Sequence, residues 1–262
     1  MKRLIQFILI LFSFIEVYSS PVGNPLASEI IEEGFFISPG SWINFRMGYE
    51  GNFTTDARLK NELNKNKIDN FKIDYNSGSF TINLQNRIDL FALLGSTRIR
   101  SDWRFSNLDI DYRSEMETDY KPIWAVGGRA VLFEWGNIAL GAGGRFTKAN
   151  PSINFVTING ALKQLTKSKV KYQDWQADFA IAYKIDIFVP YLGAKYLNAM
   201  AEVKKFDFYI NDNFSNEIYM KNKDKYGVFI GCTFSNGKYF SLTCEARFID
   251  EEAGMISGEF RF

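Results

Sequence analysis

Residues 238–262 read KYFSLTCEARFIDEEAGMISGEFRF and close the chain on two phenylalanines with one arginine between them. Within residues 240–248 the even positions are apolar and the odd positions are polar or charged. The alternation resumes after an acidic turn at residues 250–252 and continues to Phe262. Successive side chains of a strand point to opposite faces of a sheet, so the stretch predicts a hairpin with one apolar and one charged face.

An aromatic residue at the end of such a strand is typical of outer-membrane β-barrels, whose strands turn apolar side chains to lipid and polar ones to a wet lumen. Eight further stretches are rich in strand-forming residues, and all but residues 88–99 alternate. They are residues 42–53, 71–85, 88–99, 122–133, 137–146, 169–184, 190–196 and 225–234. In residues 71–85 the apolar positions change from odd to even at 76–78, which predicts a β-bulge there.

The connections between these stretches alternate in length. They are tight near residues 86, 135, 185 and 236, and long and polar after residues 53, 100, 149 and 200. Short turns on one side and long loops on the other are how outer-membrane barrels are connected. The predicted fold class is therefore all-β: a transmembrane antiparallel β-barrel of about ten strands, or twelve if residues 100–120 or 198–222 contain another hairpin.

The N-terminus predicts export. Met1, Lys2 and Arg3 precede an apolar run at residues 4–15, which is shorter than the roughly 20 residues that a membrane-spanning helix needs. We interpret residues 1–19 as a cleaved secretory signal peptide and residues 20–262 as the barrel. A buried core helix is the alternative, and the basic residues in front of the run disfavour it.

Composition excludes several classes of function. The 262 residues contain no histidine, on which Ser-His hydrolysis, most general acid–base catalysis near neutral pH and nearly all catalytic zinc sites depend. A formal net charge of +1 gives no reason to expect a nucleic acid partner. We therefore predict that the protein is not an enzyme and uses no cofactor or metal.

The charged residues of the alternating stretches share the inward face. A basic residue on the lipid face at mid-depth costs about 2–4 kcal/mol, so these groups must contact water or one another. They are Arg46, Glu50, Arg129, Arg145, Asp174, Asp178, Lys195, Glu245, Arg247, Glu259 and Arg261. One interpretation is a pore lining that filters ions, helped by inward glycines that leave space for water. The other is a set of salt bridges that fills a narrow lumen.

The two cysteines, Cys232 and Cys244, fall on the outward face of adjacent strands. Pairing Ser235 with Tyr239 places them diagonally, whereas a register shifted by two residues places them face to face. An exported protein can form such a disulfide, and two free lipid-facing thiols are the alternative. The tryptophans predict an interfacial aromatic girdle rather than a ligand site. They are Trp42, Trp103, Trp124, Trp135 and Trp175.

Five segments resemble the chlamydial major outer membrane protein family. They are residues 20–25 (SPVGNP), 46–49 (RMGY), 87–95 (RIDLFALLG), 172–195 (YQDWQADFAIAYKIDIFVPYLGAK) and 245–262 (EARFIDEEAGMISGEFRF). The resemblance implies a porin β-barrel of the bacterial outer membrane that admits small solutes, forms homotrimers and stiffens the envelope through cysteine cross-links. Residues 133–137 carry no cysteine where the family has a cysteine-rich stretch, and the chain is shorter than expected, chiefly in its loops.

The function predicted from pattern and resemblance together is passive diffusion of small hydrophilic solutes and ions through an outer-membrane porin, with a structural role in the envelope. Outer-membrane lipid and small solutes are the expected partners. The alternative hypothesis is a non-conducting structural or adhesive surface barrel, in which the inward charges pair with one another. Spacing alone does not decide between the two.

Overall fold

The computed structural model describes residues 23–31, 41–61, 66–107, 110–163, 168–204, 209–210, 213–214 and 217–262. The predicted signal peptide, residues 1–19, lies outside these ranges. Within them, no helix has both the length and the apolar character needed to cross a membrane.

The described residues form one short helix and seventeen strands. The helix is α1 (Ala27–Ile30), and the strands are β1 (Ile43–Asp56), β2 (Leu59–Asn61), β3 (Asn66–Leu84), β4 (Ile88–Asn107), β5 (Ile110–Thr118), β6 (Lys121–Trp135), β7 (Ile138–Ala149), β8 (Ile153–Ile158), β9 (Ala161–Lys163), β10 (Lys169–Tyr183), β11 (Phe188–Lys204), β12 (Tyr209–Ile210), β13 (Asn213–Phe214), β14 (Glu217–Asn222), β15 (Tyr226–Ser235), β16 (Phe240–Phe248) and β17 (Glu252–Arg261).

Ten strands close into an antiparallel barrel in the order β1, β3, β4, β6, β7, β10, β11, β15, β16 and β17. The first and last of them pair with each other, with Arg46 opposite Arg261 and Asn52 opposite Met255. Closure satisfies the backbone groups that an open sheet would leave unpaired at its edges, which the interior of a membrane requires. The prediction of a ten-stranded transmembrane barrel is confirmed.

The long connections are less irregular than the sequence suggested. Strand β4 runs ten residues past its pairing with β6 and forms a hairpin with β5, which in turn pairs with β8. Strand β14 pairs with the far end of β11 and with β2. The prediction of a long polar loop after residue 100 is therefore wrong, because this region forms a β-ribbon, as the alternative of another hairpin within residues 100–120 proposed. This ribbon rises above the barrel and adds no strand to its wall.

An apolar band surrounds the outside of the barrel. In β10 the outward positions from Trp175 to Tyr183 are all apolar or aromatic, and Gln173 and Lys171 follow them. Nine residues match the length of a tilted strand that spans a membrane. We call the end of the barrel with the long connections the loop end, and the opposite end, with the tight connections, the turn end. At the loop end, the Trp175 ring lies 5.0 Å from the Tyr196 ring, which lies 5.4 Å from the Tyr226 ring. These rings form the aromatic girdle expected at a membrane interface.

Two predictions about the wall are wrong. Strand β3 has no bulge at residues 76–78, because its register with β1 is unbroken from Leu84 to Ile73. The apolar positions change face because the inside of the barrel becomes apolar towards the loop end, where Ile73 and Tyr75 are buried. For the same reason Trp103, predicted to lie in the girdle, is buried at 5% exposure inside that end.

The interior has three layers. The loop-end cluster is apolar; its most buried members are Phe71, Ile99, Met116, Val156, Val170, Val203 and Met220. The turn-end cluster, also apolar, consists of Leu26, Ile30, Val131, Ala139, Ala180, Ala182, Val189, Tyr191 and Phe229. Between them lies a charged layer. The middle of the lumen therefore holds the groups on which any transport function would depend.

Candidate functional site: the barrel interior

The first charged group of the lumen joins strands β1, β4, β6 and β17. Asp89, fully buried, forms ion pairs with Arg46 and, at 2.7 Å, with Arg129. Glu259 lies 3.3 Å from each of the same two guanidinium groups. Arg129 and Glu259 stand four strands apart around the barrel, so this network crosses the lumen.

A second group joins β1, β3 and β7. The guanidinium of Arg145 lies 2.7 Å from a carboxylate oxygen of Glu50 and donates a hydrogen bond to the Tyr75 hydroxyl at 2.9 Å. The Tyr75 hydroxyl donates in turn to Glu50 at 2.7 Å. Three polar side chains from three strands thus bind one another inside the lumen.

A third group gathers around the turn between β16 and β17. Lys195 is fully buried and pairs with Asp250 at 3.0 Å and with Glu251, which lies 3.2 Å from Arg247. Burial raises the pKa of Asp250 to about 6, although the charge of Lys195 opposes the rise. Burial alone would also raise the pKa of Glu251, but Arg247 and Lys195 outweigh it and hold that pKa below its usual value. The turn thereby places two carboxyls inside the mouth of the barrel.

Residues 23–31, named here the lumen segment, lie inside the barrel at the turn end. Charged side chains of the wall hold three of its backbone atoms. The Gly23 amide donates to Glu245 at 3.0 Å, Arg46 donates to the Ala27 carbonyl, and Arg261 donates to the Ile31 carbonyl.

Side chains of the lumen segment fix it further. Asn24 is fully buried and its amide donates at 3.0 Å to the Thr233 hydroxyl. Leu26 and Ile30, four residues apart, pack into the turn-end cluster. The segment therefore fills the lumen at this end through both polar and apolar contacts.

The inward glycines make room for these groups rather than for water. A Cβ atom added at Gly141 would collide with Pro25 of the lumen segment, and one at Gly227 with the carboxylate of Asp250. At Gly143 it would lie 2.7 Å from a carboxylate oxygen of Asp178. The expectation that these glycines leave space for water is wrong at all three positions. A nearby cavity, lined by Tyr75, Tyr172, Asp174, Arg247 and Glu251 among others, measures about 10 Å³ and has room for at most one water.

The eleven charged residues predicted from the sequence all occupy inward positions. Seven are buried: Arg46, Arg145, Asp174, Lys195, Glu245, Arg247 and Arg261. Glu50, Arg129, Asp178 and Glu259 are partly buried. Their role in lining a pore stays a prediction. Asp89, which stands alone in an apolar run, was not predicted as a lumen residue, and Asp250 and Glu251 were assigned only to an acidic turn. The place of the lumen segment inside the barrel was not predicted either, although the four-residue spacing of Leu26 and Ile30 was a signal for it.

The cysteines lie directly opposite each other on β15 and β16. The pairing of Ser235 with Tyr239 is wrong, because Ser235 pairs with Ser241 and the connection is a four-residue loop. The register shifted by two residues is the correct one. Both thiols are free in the structure, and the disulfide stays a prediction.

Comparisons with known proteins place the chain among outer-membrane barrels. The family model described as Chlamydia major outer membrane protein matches residues 159–209. The major outer membrane porins of Chlamydia trachomatis serovars B and E are each 22% identical to it, over 394 and 393 aligned positions that cover 100% of both chains. Because the chain has 262 residues, at least 132 positions of the longer alignment have no counterpart in it.

Solved structures that the chain matches include an outer-membrane channel of Pseudomonas putida F1, with a TM-score of 0.42, 9% identity and coverage of 86% of this chain and 100% of the other. OprG of Pseudomonas aeruginosa has a TM-score of 0.40, 9% identity and coverage of 88% and 99%. The predicted resemblance is confirmed: this outer-membrane β-barrel is similar to the chlamydial major outer membrane protein family.

Proposed function

We propose that the protein is an outer-membrane porin for small hydrophilic solutes and ions, closed in the observed conformation by its own lumen segment. The observation that carries the proposal is how this segment is held. Arg46, Glu245 and Arg261 contact backbone atoms of the segment, and all three belong to the wall. If the segment leaves, these charges face water at the turn end of the lumen.

Passage in the open state would be passive. Each of the three charged groups of the lumen carries both signs, which favours small polar solutes and ions over apolar ones. The relatives named above are porins by name, which supports the same function here.

A second candidate function is a non-conducting structural or adhesive barrel. The loop-end cluster favours it, because Phe71, Ile99, Met116 and Val156 are almost completely buried and seal the outer half of the interior. In that case neither the lumen segment nor the loop-end cluster moves out of the lumen. The homotrimer implied by the family resemblance, the envelope role and the absence of catalysis stay predictions.

One experiment separates the two functions. The refolded mature chain is compared in a planar bilayer with a variant that lacks residues 23–31, with a variant in which Phe71 and Met116 are alanine, and with both changes combined. Discrete conductance steps that scale with salt, and that become frequent when the closures are removed, support the porin. Silence in all four folded and inserted proteins contradicts it and favours the structural barrel.

A substitution within the lumen tests the path itself. Gly143→Trp places a large ring where even a Cβ atom meets Asp178. In the variant without the lumen segment, we expect this ring to reduce the conductance of each open channel. Unchanged conductance would contradict the assignment of the lumen as the path.

A further inference from the structure

We propose that the outer face of the barrel binds the phosphate of an outer-leaflet lipid in a basic groove above the aromatic girdle. The groove, named here the lysine groove, lies on β7, β10, β11 and β14. Its cationic side chains are Lys148, Lys171 and Lys221, and Gln173 and Tyr219 add polar groups between them. The inference concerns the outside of the barrel and does not depend on conduction through its lumen.

The depth of the groove in the membrane points to a lipid headgroup. Lys148 follows Phe146 by two residues on β7, and Gln173 precedes Trp175 by two on β10; Phe146 pairs with Trp175, and Lys148 with Gln173. The lysine groove therefore begins one outward row beyond the girdle. Aromatic girdles mark the headgroup level of a membrane, so the lysines stand where lipid phosphates lie.

Cross-strand register brings like charges together. Gln173 pairs with Met200, Met200 with Lys221, and Lys221 with Lys60 of β2. Together with Lys148, they form one continuous row across five strands. Like charges directly opposite each other destabilise a sheet, and an anion between them removes the cost.

Local carboxylates neutralise only part of this charge. Glu202 lies 3.4 Å from Lys171 and 2.9 Å from Lys204, and Glu217 lies 3.2 Å from Lys204. Within the residues that the structure describes, Lys148 and Lys60 form no ion pair. The lower end of the groove, nearest the membrane, is thus its most positive part.

The shape of the site suits an amphiphile better than a free anion. The groove has a volume of about 330 Å³ and lies directly above the apolar band. A lipid whose phosphate is held by Lys148 and Lys221 would place its acyl chains against Phe146 and Trp175. Free inorganic phosphate gains the charge contacts alone and lacks the apolar ones.

The test uses the full mature chain in nanodiscs of zwitterionic phosphatidylcholine that contain a small fraction of lipid A, a phosphorylated glycolipid. Native mass spectrometry counts the lipid A molecules that each barrel retains. The variant replaces Lys148, Lys171 and Lys221 with glutamine. The control replaces Lys121, Lys223 and Lys238 with glutamine, which removes the same charge from exposed positions outside the groove.

We expect the control to retain lipid A like the unmodified protein and the groove variant to retain it about a hundredfold more weakly, since each lysine near a lipid phosphate contributes about fivefold. Lipid A without its phosphates should bind no better than phosphatidylcholine. Equal retention by the groove variant and its control would overturn the proposal. So would displacement of lipid A by inorganic phosphate at millimolar concentration, because that would show a simple anion site.

Discussion

Leu26→Ala tests whether the lumen segment closes the barrel. Leu26 is 3% exposed and packs among Val131, Tyr191 and Phe229 in the turn-end cluster. Truncating a fully buried leucine costs about 2–5 kcal/mol when the cavity it leaves stays empty. The segment can instead leave the lumen, so the loss acts on the balance between docked and undocked segment. Since about 1.4 kcal/mol is tenfold, that balance shifts towards the undocked state by at least about thirtyfold.

Two measurements detect this shift. Single-channel recording gives the open fraction in a planar bilayer, which should rise by the same factor while the undocked state stays rare. Thiol labelling gives access to the lumen even if the loop end stays closed. For this, Thr243 is changed to cysteine in a background without Cys232 and Cys244, because its hydroxyl lies within 2.8 Å of Thr233, which contacts the segment.

A matched control comes from the lipid face. Leu192 is 58% exposed on β11, and Leu192→Ala makes the same chemical change where lipid fills the space. Neither the open fraction nor the labelling rate should change in this control. If Leu26→Ala also leaves both unchanged in a folded protein, the lumen segment does not act as a closure and the reasoning fails.

Two other predictions concern charge. Arg46→Met leaves Asp89 with Arg129 as its remaining ion pair, and should lower the free energy of unfolding in detergent by about 3–5 kcal/mol. The control Arg58→Gln breaks an exposed pair with Glu252 and should lower it by less than about 1 kcal/mol. Equal losses in the two variants would count against a stabilising role of the buried network. Burial, and then the carboxyl of Glu134, raise the pKa of Glu29 in the lumen segment to about 7 against the attraction of Arg87 and Lys184, from an ordinary 4.5. Within this pH range the docked segment keeps the Glu29 proton, whereas the undocked segment loses it. Docking should therefore weaken as pH rises from about 4.5 to 7 and stay constant above that. Single-channel recordings should show the open fraction rising across this range, and Glu29→Gln should remove the pH dependence.

The wall of the barrel was predictable because lipid imposes one rule on every strand. Each outward position must be apolar, so alternation assigns the faces of strands such as β10 and β16 residue by residue. Even Lys195, in the short stretch of residues 190–196, faces inward as predicted. The number of strands followed from the same rule together with the alternation of short and long connections.

The contents of the lumen were not predictable, because no single rule applies to the inner face. Ile73 and Tyr75 are inward and apolar, whereas Thr81 and Asn83 on the same strand are inward and polar. Whether an inward residue is apolar or polar depends on what fills the barrel at that depth, and those groups come from parts of the chain far away in sequence. Asp89 is an example: its partners come from β1 and β6, and only closure of the barrel brings them together.

The narrowness of the lumen explains why the same charges can either close the barrel or line a path through it. Arg145 on β7 reaches Glu50 on β1 at 2.7 Å, and Arg129 on β6 reaches Glu259 on β17 at 3.3 Å, although each pair stands four strands apart. In a wider barrel these side chains would end in water. Here a solute can pass only if such pairs separate and become hydrated. Separating a buried ion pair costs less than separating apolar contacts, because water replaces each lost partner. The charged layer is therefore the part of the closed lumen that can open at lowest cost, and the loop-end cluster, which gains nothing from water, is the part that decides whether the barrel conducts.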